Sequence, residues 1–331
     1  MRWQALTVCL IVSATSVTLY RPHPAKALDE ATKPSSRMLN PTEISASAKW
    51  VVYWNIDRTM AMPGAGELLE RYLNTHPKVK MTIHRAEVVI GNRFPDDFHD
   101  VLISGNNAGP GQGRGVVVIH AIASQAHIDN ILSLNRSNTT ITIGKSIVHI
   151  IPGNHDHTTF EVSPTPGTFV VSRSEKSLVD ELKVLRGQAP AMTTHAPLLA
   201  GADHGSIFYV ADTALAQSGK PHGSNPGRAW LTHARSVWLA AHGKDGTLEW
   251  VGRIQAKTAT AAAQMASGAR GIQSILELAG TSATATPRQR FIAVAVKGLQ
   301  VRAAGMTVRL RLAIPLKTLR TGLQRNDRAG Q

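Results

Sequence analysis

The chain has 331 residues, with 36 Lys and Arg against 22 Asp and Glu, a formal net charge of +14 and a single cysteine. That length allows two domains of ordinary size, each with its own core, and one cysteine excludes a disulfide framework. The excess of positive charge points to acidic partners, because a net field of one sign attracts the other.

The first 27 residues have the pattern of an export signal peptide. Met1 and Arg2 are followed by apolar and small residues from Ala5 to Tyr20, and Ala25-Lys26-Ala27 supplies the small residues that signal peptidase reads. The run is too short, and too interrupted by Ser and Thr, to span about 30 Å of hydrocarbon comfortably. Cleavage after Ala27 is expected, with an uncut signal anchor as the alternative. It would remove Arg2, Arg21 and Lys26 and no acid, taking the charge from +14 to +11, and Cys9 would go with it. The mature protein is then expected to be soluble and exported, periplasmic or extracellular.

Residues 28–48 are polar and read as a flexible lead-in. Trp50 to Asp57 has the aromatic and β-branched content of a strand. Pro63-Gly64 introduces a helix with Leu68, Leu69, Tyr72 and Leu73 on one face, ending near Asn74 and Pro77. Asp100–Ser104 and Gly115–His120 read as a hairpin around a loop rich in Gly and Asn, and a helix follows over about Ser124–Leu134. Thr139–Ile143, Ser146–Ile151, Thr158–Val162 and Thr168–Val171 alternate like strands. Ser172 and Glu175 have capping-box spacing for a helix with Leu178, Val179, Leu182 and Leu185 in its stripe, closed by Gly187.

Residues 188–205 read as a linker, after which the pattern recurs. Ser206 to Asp212 echoes Trp50 to Asp57, with Asp212 in the place of Asp57. Val237–Ala241 and Leu248–Ile254 form a hairpin turned by Asp245-Gly246. A helix over about Thr258–Ala279, strands at Phe291–Val296 and Thr307–Ala313, and a terminal helix from Pro315 complete the chain. The predicted fold is α+β, two tandem units of antiparallel sheet covered on one face by helices, at 49–187 and 206–331.

The opening Trp-Asn-Ile-Asp, the segment Asp-Asp-Phe-His-Asp-Val-Leu-Ile-Ser-Gly at 96–105, Val-Val-Ser-Arg-Ser at 170–174 and the duplicated order resemble uncharacterised exported proteins of planctomycete-type bacteria. The resemblance implies export and the tandem α+β plan over most of the mature chain. It implies no reaction.

Four patterns bear on chemistry. Gly153-Asn154-His155-Asp156 resembles a block of the calcineurin-like metallophosphoesterases, and Asp97-Phe98-His99 has the spacing of their first block. The block that supplies their metal-bridging Asp is missing, and two metals need that carboxylate to offset their repulsion. A polar hairpin turn at 153–157 is the preferred reading. Asp97, His99, Asn154 and His155 are the metal-site residues of the phosphoesterase reading. His155 and His157, two apart on a strand, share a face and are a second candidate for a metal, with Asp156, His149, His99 or His195 as further ligands. The glycines from Gly105 to Gly115 have neither phosphate-loop nor dinucleotide spacing and read as a long hairpin loop.

The fourth pattern is basic. From Arg288 to Gln331 ten Lys or Arg face one acid, Asp327. Arg309 and Arg311 alternate with Val308, Leu310 and Leu312, which puts the arginines on one face of a strand; with Arg302 they are the candidate anion- or partner-binding residues. Only Phe291 is aromatic there, so base stacking is not favoured and nucleic acid is not the expected partner. An acidic envelope polymer, an anionic membrane surface or an acidic protein is. The expected function is therefore an exported, non-enzymatic binding or structural protein without a cofactor. The alternative is a metal-dependent phosphoesterase using the Gly153–Asp156 segment and a divalent metal.

Overall fold

Six residues of Trp-Val-Val-Tyr-Trp-Asn form strand β1 (Trp50–Asn55), and five of the six are buried. A strand buried on both faces lies inside a sheet with cover on both sides, and β1 is at its centre. The computed structural model describes residues 38–106, 115–122, 125–134, 137–152, 158–202, 206–213, 233–244 and 246–318. The signal segment, the loop at 107–114, the Gly153–His157 turn with its Asn154, His155 and His157, and the terminal helix beyond residue 318 lie outside the described residues.

After β1 come α1 (Ile56–Met60), α2 (Ala65–Thr75) and α3 (Pro77–Ile90), then β2 (Phe98–Gly105), β3 (Gly115–Ala121) and α4 (Gln125–Leu134). Four strands follow, β4 (Thr139–Ile143), β5 (Ser146–Pro152), β6 (Thr158–Thr165) and β7 (Thr168–Ser172), and then α5 (Glu175–Leu185). The second half has β8 (Ser206–Asp212), β9 (Ala234–Lys244), β10 (Thr247–Ala256), α6 (Ala259–Thr281), α7 (Pro287–Val296), β11 (Gln300–Ala304) and β12 (Thr307–Pro315). The fold is α+β, with an antiparallel sheet and helices packed on it.

The twelve strands among the described residues belong to one sheet, in the order β11-β12-β10-β9-β8-β1-β2-β3-β7-β6-β5-β4. The halves meet at β1 and β8, which pair antiparallel with Tyr53 opposite Tyr209 and Trp50 opposite Asp212. Asp57 sits instead in the first turn of α1, so the two aspartates of the echoed segments do different work.

Alternation along β1 divides the core between the sheet's two faces. Val51 and Tyr53 join Leu102, Val118 and Val170 and the α5 residues Leu178 and Leu182. Trp50 and Val52 join Ile103 and Phe169 and the α4 residues Ile128 and Leu132. The centre of the sheet is thus covered on both faces, not one. The Trp50 indole lies across Gly105 and Gly115, where an added Cβ would come within 2.5 and 2.7 Å of the ring. Those two glycines are needed as a flat floor for the ring.

Several local expectations are corrected. Residues 41–48 are not a loose lead-in: Ile44 is fully buried and Ser45 bridges Ala191. Nor is 188–205 a plain linker, since Met192, Leu198 and Leu199 pack in the core and the Tyr209 hydroxyl donates to the Leu198 carbonyl at 2.7 Å. The cap of α5 is Ser174, whose side chain accepts from the Ser177 N–H; Ser172 is buried and its hydroxyl donates to the Gly115 carbonyl. Phe291–Val296 is helical because Thr286 and Gln289 form a reciprocal capping box with Pro287 in the first turn.

Candidate anion-binding face

In an antiparallel sheet, residues directly opposite one another project to the same face. Arg302 of β11 stands opposite Arg309 of β12. Arg309 in turn stands opposite Arg253 of β10, and Arg253 opposite Trp238 of β9. The row continues inward to Ala211 and Val51, which belong to the core beneath 190–202. Three arginines therefore line up across three neighbouring strands, with backbones about 5 Å apart. Arg302 and Arg309 are exposed and Arg253 is half-buried.

The other face of these strands is apolar. Val301, Val308, Leu310 and Ile254 pack against Ala261, Ala262, Met265 and Ala266 of α6, and among the described residues nothing covers the arginine face beyond Trp238. Cover on that side stops at Trp238: its ring lies against Gly201, where a Cβ would fall 2.3 Å from the indole. The row begins where the 190–202 cover ends.

Among the described residues, Arg253, Arg302 and Arg309 make no ion pair. Arg311, one step along the same face, is held by Glu249, with Nε 2.6 Å from Oε1. Two of the three arginines singled out from the sequence are thus direct neighbours, and the third is partly neutralised. Arg253 was missed, because only the long-range pairing of β10 with β12 brings it in; the cue was its place in the Leu248–Ile254 alternation.

The metal candidates have other partners. The Asp97 carboxylate accepts the Arg93 N–H at 2.7 Å, and His99 Nδ1 lies 3.0 Å from an Asp57 carboxylate oxygen. His149 Nε2 lies 2.9 Å from Asp129. Among the described residues no group of three or more His, Cys, Asp or Glu is arranged to hold a metal ion.

A buried polar group that the sequence did not suggest lies under the first half. His120 Nδ1 is 2.6 Å from Asp100, and Nε2 is 3.5 Å from Glu43. Tyr53 sits beside them, and burial and the Asp100 charge raise its hydroxyl above the ordinary range. Burial and the nearby Glu43 push the Glu181 carboxyl up to about 8, and burial alone pushes Glu161 up to about 7. His120 and Asp100 are each only 2% exposed. A His-Asp pair so closed to water ties the 3-10 turn Pro41–Glu43 to the sheet and offers no route to a substrate.

No family model and no curated protein matches the chain. Crystal form III of TP0453 is similar at 10% identity with a TM-score of 0.46, covering 89% of this chain and 100% of that one. Crystal form I of TP0453 is similar at 10% identity and a TM-score of 0.42, over 86% of this chain and 98% of that one. For form IV the values are 10%, 0.44, 86% and 96%. Likeness at this level says nothing of function.

Proposed function

We propose that this chain is an exported, non-enzymatic binding or structural protein of the periplasm or cell envelope, and that it holds an acidic envelope polymer on the arginine row. The observation that carries the reading is the alignment of Arg253, Arg302 and Arg309 on a sheet face that, among the described residues, has neither cover nor a carboxylate partner for them. Like charges directly opposite each other destabilise a sheet, so an anion lying across the strands relieves a strain that the fold otherwise bears. A linear polyanion with closely repeated charges suits a line of guanidiniums better than a single small anion does. The apolar leader closed by Ala25-Lys26-Ala27 supports the location, and no cofactor enters the reading.

Titration with inorganic polyphosphate tests it. Three surface charge contacts, two exposed and one half-buried, at about 0.5–1 kcal/mol each predict a loss of roughly tenfold or more in affinity for Arg253→Ser/Arg302→Ser/Arg309→Ser. The corresponding Lys triple variant should keep most of the binding. Equal affinity of the Ser variant and the parent would refute the proposal.

A further inference from the structure

Between β10 and β11 the second half carries a helical hairpin, α6–α7. The buried residues of α6 are Ala261, Ala262, Met265 and Ala266, all in its first two turns, yet the helix runs on to Thr281. Beyond Ala266 no described residue of α6 or α7 is buried. These segments touch chiefly each other: an added Cβ on Gly280 would fall 2.2 Å from the Ala293 Cβ. The outward residues are nevertheless large and apolar, with Ile275 67%, Leu278 73% and Val294 60% exposed. Scattered apolar residues on a surface are ordinary, but several on one hairpin mark a contact site.

Charge decides what the hairpin contacts. The only charged residues of the 23-residue α6 are Arg270 and Glu277. Arg270 reaches back to the Val301 carbonyl, and Glu277 accepts from Gln273 at 3.0 Å. The outward stripe through Ser274, Ile275 and Leu278 is therefore uncharged. Around it, the sequence from Ser267 to Lys297 holds four Lys or Arg and one acid, and Arg290 and Lys297 are exposed. A second copy of the exported chain, with a net charge of +11 once the leader is removed, would be repelled. A surface that is apolar within and negative at its headgroups complements both the aliphatic stripe and its cationic rim.

We infer that the α6–α7 hairpin docks on an anionic lipid bilayer, its aliphatic stripe seated among the headgroups. No helix among the described residues is long and apolar enough to cross a membrane, so the hairpin lies on the bilayer and does not span it. The inference rests on the envelope location proposed above but not on the arginine row, which projects from the opposite face of the same strands. The chain then presents one face to lipid and the other to a polyanion.

Flotation of the exported protein with vesicles tests this, using phosphatidylcholine alone and phosphatidylcholine with about one third phosphatidylglycerol. The parent is expected to float with the anionic vesicles. Ile275→Ser/Leu278→Ser should partition at least roughly tenfold more weakly, since two largely exposed aliphatic side chains lose their burial in the interface. Ser274→Leu, on the same stripe, should partition more strongly, and a far-ultraviolet melt of each variant reports its folding. The arginine-row triple variant should still float, while the hairpin variant still binds polyphosphate. Failure of the parent to bind either vesicle, or equal partition of parent and double variant, overturns the inference. So does a parent dimer in sedimentation that the double variant dissolves, which would assign the stripe to a second copy.

Discussion

Arg302, Arg309 and Arg253 illustrate what one residue's place in a strand does and does not reveal. Alternation with Val308 and Leu310 is enough to put Arg309 on the outer face. Its neighbour on one side, Arg302, lies across a local hairpin, but its neighbour on the other, Arg253, depends on a pairing between strands more than fifty residues apart. The Asp100–His120 pair escaped for another reason: the hairpin that carries it was expected, but the two residues stand at its strand ends and look ordinary in sequence. At this scale the buried carboxyls make a sharp prediction. Glu181 has a folded-state pKa raised from 4.5 to about 8, and Glu161 from 4.5 to about 7. A raised carboxyl pKa means that the native state prefers the protonated form. Its contribution is complete below pH 4.5 and is lost as pH rises through the folded-state value. Thermal melts between about pH 5 and 8.5 should show stability falling with pH, and Glu181→Gln should remove much of that slope. Glu43 lies near Glu181 and its charge adds to the shift, so Glu43→Gln should weaken the dependence as well. A Glu181→Gln variant with an unchanged pH profile would show that the buried carboxyl is not the source.

Elements with strong local signals were legible: the β9–β10 hairpin, the four strands from β4 to β7 and the body of α5 stand where their patterns placed them. Elements whose fate depends on tertiary contact were not. The six apolar residues at 291–296 suit a strand or a helix equally by composition, and the cap at Thr286 with the neighbouring α6 settles the matter. Helix α3 follows a proline that looked like a stop; Pro77 is instead its first residue, a position that needs no N–H. The segment 41–48 is polar enough to look disordered, yet its one large apolar residue fills the core beside α5. Truncating that residue leaves a cavity, so Ile44→Ala should destabilise the protein by about 2–4 kcal/mol in denaturant unfolding. A loss well under 1 kcal/mol would mean that the segment is a loose cover.

Across the whole molecule, the echo between Trp50–Asp57 and Ser206–Asp212 has a physical meaning that sequence comparison alone did not reveal. The two segments are the strands that pair at the middle of the sheet. From that seam β1, β2 and β3 run outward on one side and β8, β9 and β10 on the other, each set antiparallel. Residues 190–202 and 41–48 cover one face over the seam and α4 covers the other, so the centre is closed, while among the described residues the outer strands of the second half are covered on one face only. There the sheet separates two chemistries, guanidiniums on one face and the apolar α6 contact on the other.

Salt dependence of polyphosphate binding measures the number of charges engaged, independently of overall affinity. If the arginine row is the site, the slope of log affinity against log salt should fall by about 0.7 for each arginine removed, or about 2 in the triple Ser variant. The same slope in parent and triple variant would contradict the account, placing the bound anion elsewhere on the basic surface.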